Sequence, residues 1–494
     1  MFLKKGFIFL SVQQTLFALL CCFLFSFKAH SQQELKLDLP KNNKETAKSK
    51  VTNPDLNSEV ISKLVQEEEN SDVRVNTGNF AFQSNQLAEG SGEDIGNKYF
   101  MDFNFTYISR QEDSDTEKFL DFSARTNDAS LVMLSFKQLY VGTNPRNENL
   151  RIRAGRFTLD WSTLDQIWGF GKINNRVNFD FFDPGQEGLA GMAVDIKLNN
   201  FVKLKTFGSV VYVPELNPSL DINVDDGTIK SRHPWAKAPP ATTDAAGTGT
   251  TSTLFYDVKY PEIQDVVWNY TAGLNLEFTL SEHYSVDAFY IRKPDNNIGL
   301  AADPIIEPSG DVINVEIQPA VFYQDVSGGQ VKYKNRGFEI YGSYLISKPD
   351  SKVEGNQDFF DYTNYKHVKI KEEYGGLGVA HGDESLRWSL NYVARRSRFS
   401  NDKDNPLEEE PRWSEALNVN VRKSFSQKLS ASFDTKFDIF TYDRLFSFST
   451  AYAWTKSMSA VMGFNIIGSN NNQETYWSPF RNNDSVYSRL VYRF

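Results

Sequence analysis

The chain has 494 residues, with 63 acidic side chains against 53 lysines and arginines and a formal net charge of −10. That balance excludes a general affinity for nucleic acid. No nucleotide-binding Gly/Lys loop, His-Glu-x-x-His or Gly-x-Ser-x-Gly occurs, and His233, His283, His367 and His381 have no ligand spacing, so no enzyme chemistry, cofactor or metal site is expected.

At the N-terminus, Lys4 and Lys5 precede an uncharged stretch from Gly6 to Phe27, and Ala29-His30-Ser31 places small residues where a signal peptidase reads them. This predicts a signal peptide over 1–31, cleaved near Ser31, with an apolar core short for a spanning helix of roughly 20 residues. Cys21 and Cys22, the only cysteines, leave with it, so the mature chain forms no disulfide. Cleavage removes Lys4, Lys5 and Lys28 and no acid, which takes the formal charge from −10 to −13. Residues 32–76 hold no Phe, Tyr or Trp and are rich in Lys and Glu, a polar segment in which 58–69 has the spacing of a short amphipathic helix.

From 77 onward apolar and aromatic residues recur at every second position. Trp268, Tyr270, Ala272, Leu274, Leu276, Phe278 and Leu280 alternate with polar partners, a period that means a strand with one apolar face. Leu386 to Arg395, Leu429 to Ile439, Phe446 to Trp454 and Met458 to Ile466 repeat it. Eighteen strands are predicted, starting near 77, 97, 116, 130, 148, 188, 201, 265, 283, 312, 335, 366, 386, 411, 428, 444, 457 and 484, with sixteen as the alternative count. Their length of about 10 to 14 residues suits a tilted membrane span better than the usual soluble strand of about 5 to 6. The fold class expected is therefore all-β, a transmembrane antiparallel up-and-down barrel over 77–494. Trp268, Trp388, Trp413 and Trp454 end apolar faces and are expected in interfacial girdles. Arg387, Arg395, Asp434 and Lys436 fall on polar faces and are expected to line the lumen, as are Glu277, Asp287, Arg422 and Asp438.

The last segment alternates Val486, Ser488, Leu490, Tyr492 and Phe494 with Tyr487, Arg489, Val491 and Arg493. It resembles the terminal strand of Gram-negative outer-membrane proteins, which implies that Tyr492 and Phe494 are read by the barrel assembly machinery. The resemblance implies a porin-like barrel in the outer membrane, with lipid and lipopolysaccharide as neighbours, 32–76 periplasmic or lumenal, and a monomeric or trimeric state. The run Arg151 to Arg156, followed by a Trp- and Gly-rich loop, resembles the strand-to-loop passage of alginate-export-type porins.

Long connections over 158–187, 213–264, 294–311, 348–365, 397–411 and 468–483 would share the outer end, and short turns such as 281–283, 382–385 and 455–457 the other. The first carries six large aromatics beside Asp160, Asp165, Arg176, Asp180 and Asp183, too aromatic for a freely solvated loop, and is expected to fold inward as a constriction, as the third loop of general porins does. The second, with His233-Pro234-Trp235 and Pro239-Pro240, reads as a solvated outer cover. The function expected is passive diffusion of small polar solutes. A closed-lumen surface-interaction barrel and a hydrophobic-substrate transporter are the alternatives.

Overall fold

The computed structural model describes residues 75–87, 99–110, 116–127, 130–144, 149–182, 185–218, 220–223, 229–231, 233–236, 239, 241–244, 251–306, 311–352, 359–361, 369–383, 385–397, 411–470 and 475–494. The signal peptide, nearly all of 32–76, Asp183 and the acidic stretch 401–410 lie outside them.

Eighteen antiparallel strands form one closed barrel. In chain order they are β1 (Val75–Leu87), β2 (Tyr99–Arg110), β3 (Thr116–Asn127), β4 (Ser130–Thr143), β5 (Leu150–Phe157), β6 (Leu189–Lys197), β7 (Val202–Ser209), β8 (Thr271–Thr279) and β9 (Tyr284–Pro294). They continue as β10 (Tyr323–Asn335), β11 (Phe338–Pro349), β12 (Glu372–Gly382), β13 (Leu386–Ser397), β14 (Glu415–Ser424), β15 (Leu429–Asp438), β16 (Arg444–Ala453), β17 (Met458–Gly468) and β18 (Ser485–Arg493). Each pairs with its sequence neighbour, and β1 pairs with β18 from Asn79↔Arg493 to Leu87↔Ser485, so no edge is left at the seam. Phe494 completes it, exchanging two 3.0 Å backbone hydrogen bonds with Gly78. Its ring lies over Gly78, where a Cβ would come within 2.4 Å of the ring carbon.

The alternation sorts as hydrocarbon chemistry requires. Phe80, Phe82, Leu274, Phe278, Leu377, Leu390, Met462 and Leu490 are all exposed on the outer surface, while Gln83, Asp102, Asn275, Asp287, Asn391 and Asn418 are buried inside. A sheet that pairs every backbone group and shows an apolar exterior is the form in which strands cross a membrane. Trp268 is exposed at the rim that carries the long loops, and Trp454 at the opposite rim. Trp388, half-buried, sits near Trp454's rim beside His381.

Trp413 breaks the expectation. It is 1% exposed and packs edge-on against Trp168 at 6.0 Å and against Trp477 at 5.2 Å, so it has no surface to offer lipid. The apolar partner that claims it is the inward loop after β5, far away in sequence.

The strand expected near 312 also lies elsewhere. Val312–Ala320 pairs in parallel with Thr251–Val258 and antiparallel with Gly299–Ile306, in a separate five-stranded sheet at the long-loop end with Thr242–Asp244 and Phe359–Asp361. Its alternation is real, but it buries Ile313, Val315 and Ile317 against Leu254, Tyr256 and Leu300. The true wall strand, β10, turns Asp325, Ser327 and Gly329 to the side shared with exposed Val331, and buries Val326 completely on the inner side. With small or polar residues in the middle of both faces, it has little period-two contrast.

Candidate functional site

The lumen is organised by the chain between β5 and β6, which leaves the wall at Phe157 and crosses the interior. Ser162 caps a short helix, α1 (Thr163–Trp168), by accepting from the Asp165 N–H, and Gly169 ends it in the left-handed region at φ 60. The Asp165 carboxylate then accepts from the N–H groups of Lys172 (2.9 Å) and Ile173 (3.0 Å). Leu159 and Asn174 exchange a pair of 2.8 Å bonds that close the loop on itself. Phe157, Leu159, Trp161, Leu164, Trp168 and Ile173 are at most 1% exposed.

The wall is shaped to receive this loop. Inner-face Ile291, Val326, Leu345 and Val393 are fully buried in the same cluster. Gln330 on β10 holds both ends of the helix approach, accepting from Thr163 N–H at 3.0 Å and donating to Trp161 C=O at 3.3 Å. Lys293 donates to Ile173 C=O at 2.8 Å, and Phe170 stacks on Tyr374 at 4.1 Å. From the long-loop end, Trp235 packs on Phe181 at 4.9 Å, Asn483 donates to Pro234 C=O at 2.7 Å, and His233 sits between Phe100 and Phe179. His233 and Trp235 are each 5% exposed, so this stretch is a second buried plug element and not a solvated cover. Burial, with Arg125 nearby, holds the His233 imidazole well below its ordinary range.

Where the loop leaves the wall, β4 and β5 pair only from Leu139↔Arg156 to Gly142↔Arg153. Arg156 replaces the missing ladder: it donates to Gly188 C=O and Phe136 C=O at 2.9 Å each and pairs with Glu187 at 2.8 Å.

Two cavities flank the plug. At the long-loop end a vestibule of about 1210 Å³, open mouth included, has Lys172, Arg176, Glu215, Asp295, Glu372 and Arg412 among its walls. A smaller space of about 410 Å³ lies along the inner faces of β1 to β4, with Asp102, Arg125, Lys137, Asp180 and Arg489. Phe179 and Phe181 contribute to one each.

The expected lumen residues do not form one ring. Arg176 lines the vestibule, and Arg395 lies at the same end, 3.3 Å from Glu372. Asp180 faces the smaller cavity, 3.6 Å from Arg125. The Asp160 carboxylate is 71% exposed, 3.9 Å from Lys205, which also pairs with Glu277 at 3.0 Å. That lysine holds Asp160 well below the usual carboxylate range. Asp434 accepts from Asn418 and Asn420 at 3.1 and 3.0 Å, with Lys436 two residues on along the same face. Arg387 is exposed beside the short turn before β13, away from the plug. Asp165 does not line a passage, because it is buried and its oxygens are spent on the loop's own backbone.

Arg412, Glu215, Lys172 and Trp477 were missed by the pattern. A signal was present, since Trp235, Trp413 and Trp477 stand in connections and not in strands, and an indole in a loop needs an apolar partner. Burial first, then the neighbouring Arg176 charge, pulls Arg412 down to about 9, which leaves it protonated at neutral pH.

No protein-family model and no curated protein matches the chain. Solved structures with related outlines include Salmonella typhi OmpF in complex with daunomycin, at TM-score 0.39 and 10% identity over 86% of this chain and 98% of that one. Pseudomonas aeruginosa OccK11 has TM-score 0.41 and 7% identity over 85% and 95%. Acinetobacter baumannii OccAB1 has 0.43 and 8% over 87% and 98%. This chain is a closed barrel of eighteen antiparallel strands.

Proposed function

We propose that the protein is an outer-membrane channel for passive diffusion of small polar solutes, with its aperture set by the inward loop 158–187. One observation carries the reading: a barrel apolar on its outside encloses charged and amide-lined space on both sides of an ordered plug. A barrel of this strand number leaves an aqueous interior unless something fills it, and here the filling is partial. Trp268 at one rim and Trp388 and Trp454 at the other then lie at the two lipid–water interfaces. The long loops face outward to lipopolysaccharide. Tyr492 and Phe494, at the seam of the last strand, serve the barrel assembly machinery.

Refolded mature protein in a planar bilayer should give stable aqueous current steps. A silent, sealed barrel would overturn the channel reading and leave a surface-interaction or hydrophobic-transport role.

A further inference from the structure

The vestibule holds more cation than its described carboxylates neutralise. Lys172 and Arg395 both reach Glu372, and Lys369 pairs with Asp295. Glu215 is occupied by donors that carry no charge: the amides of Asn178 and Asn296 and, at 3.2 Å, the backbone N–H of Arg176. Arg176 and Arg412 therefore have no carboxylate partner among the described residues. Both donate to one backbone oxygen, that of Gly169, and Arg412 also reaches Phe181 C=O at 3.3 Å. The Nε of each arginine is buried with no hydrogen-bond partner.

Two guanidiniums that converge on a single carbonyl repel each other, and a charge withdrawn from water without a counter-ion is costly. The two carbonyls that Arg412 serves, those of Gly169 and Phe181, need donors but no charge, and a neutral amide would supply them without that cost. The cation–ring distances of 5.4 and 5.0 Å instead hold the guanidinium in place. A planar fork with free donor capacity matches carboxylate and phosphate oxygens.

We propose that Arg176 and Arg412 form an oxyanion subsite in the vestibule, which takes the carboxylate or phosphate group of a small solute arriving from the long-loop end. The assignment rests on the channel reading and names the solute class the channel prefers. The missing counter-charge is then supplied by the solute, and a net acidic protein gathers anions at its mouth.

Calorimetric titration of the refolded mature barrel in detergent with benzoate, its neutral isostere benzamide, and inorganic phosphate tests this. Benzoate or phosphate should bind, with benzamide weaker by about tenfold or more. Binding of benzoate alone assigns the site to carboxylates and of phosphate alone to phosphates. R176Q and R412Q, in barrels with unchanged circular dichroism, should each lose about tenfold in affinity, while K456Q in a distant turn should not. Should R412Q disturb the aromatic packing, R412K keeps the charge and should retain part of the affinity. Equal binding of benzamide, or full affinity in both R176Q and R412Q, overturns the subsite. A barrel that conducts yet binds neither anion overturns the subsite alone; one that binds but never conducts overturns the channel reading alone.

Discussion

Asp165 shows how one buried carboxylate can shape a lumen without facing it. Its oxygens accept two backbone N–H groups of the turn that follows α1, and its own N–H is capped by Ser162. Asp165→Ala strands those donors in an apolar interior, at about 1–3 kcal/mol. Limited proteolysis of the folded barrel should then cut within 158–187 where the parent resists. Trp413→Ala should cost more, about 3–5 kcal/mol, because it empties a fully buried indole site between Trp168 and Trp477. Urea unfolding in lipid vesicles reads that loss. The same residue marks the limit of sequence reading. Trp413 and Trp454 both stand beside an alternating strand, and period two cannot tell an indole bound for lipid from one bound for the plug. What separates them is the three-dimensional path of a loop that starts at Phe157. Asp165 was likewise legible as a polar residue in an aromatic loop, whereas its hydrogen-bond partners became visible only once the loop had closed.

At the scale of elements, the barrel was readable and its contents only in part. Strands whose outer faces are apolar announced themselves, and the inward course of 158–187 followed from its aromatic density. Strand β10 hid because it packs Val326 inward against the plug, and Val312–Ala320 misled because a small soluble sheet obeys the same alternation. The plug governs passage in the proposed channel, so replacing 160–182 by a short Gly/Ser linker should raise single-channel conductance. Unchanged conductance would place the flow elsewhere. The segment around His233 adds a pH response. Its imidazole is buried neutral, with a folded pKa below the unfolded value of about 6.5. Below that pH the unfolded chain gains a proton that the native one refuses. Stability is therefore intact above about pH 6.5 and falls by up to about 1.4 kcal/mol per pH unit as the pH drops toward the folded pKa. Urea midpoints at pH 7.5 and 5.5 should diverge in the parent and less so in His233→Phe; an identical divergence would assign the acid response to other groups.

At the scale of the whole molecule, closure and sidedness are one physical statement. Every wall strand has two partners, β1 meets β18, and Phe494 and Gly78 complete the seam. Long connections gather at one end and short turns at the other, and the even strand number with antiparallel pairing brings the first and last strands' outer termini to the short-turn end. If the outer surface lies in hydrocarbon, the two faces of a strand must answer differently to the same charge. Leu377, midway along β12, is 64% exposed on the outer face. Ser447, midway along β16, pairs across with Asp434 on the inner face. Leu377→Arg should destabilise the vesicle-embedded barrel by about 2–4 kcal/mol. Ser447→Arg, which gains a carboxylate neighbour in an aqueous interior, should cost under about 1 kcal/mol. Urea titrations of the two variants in phosphatidylcholine vesicles compare them directly. Equal penalties would mean that the apolar exterior faces something other than lipid, whereas the expected asymmetry ties the period-two pattern of the sequence to the membrane that selects it.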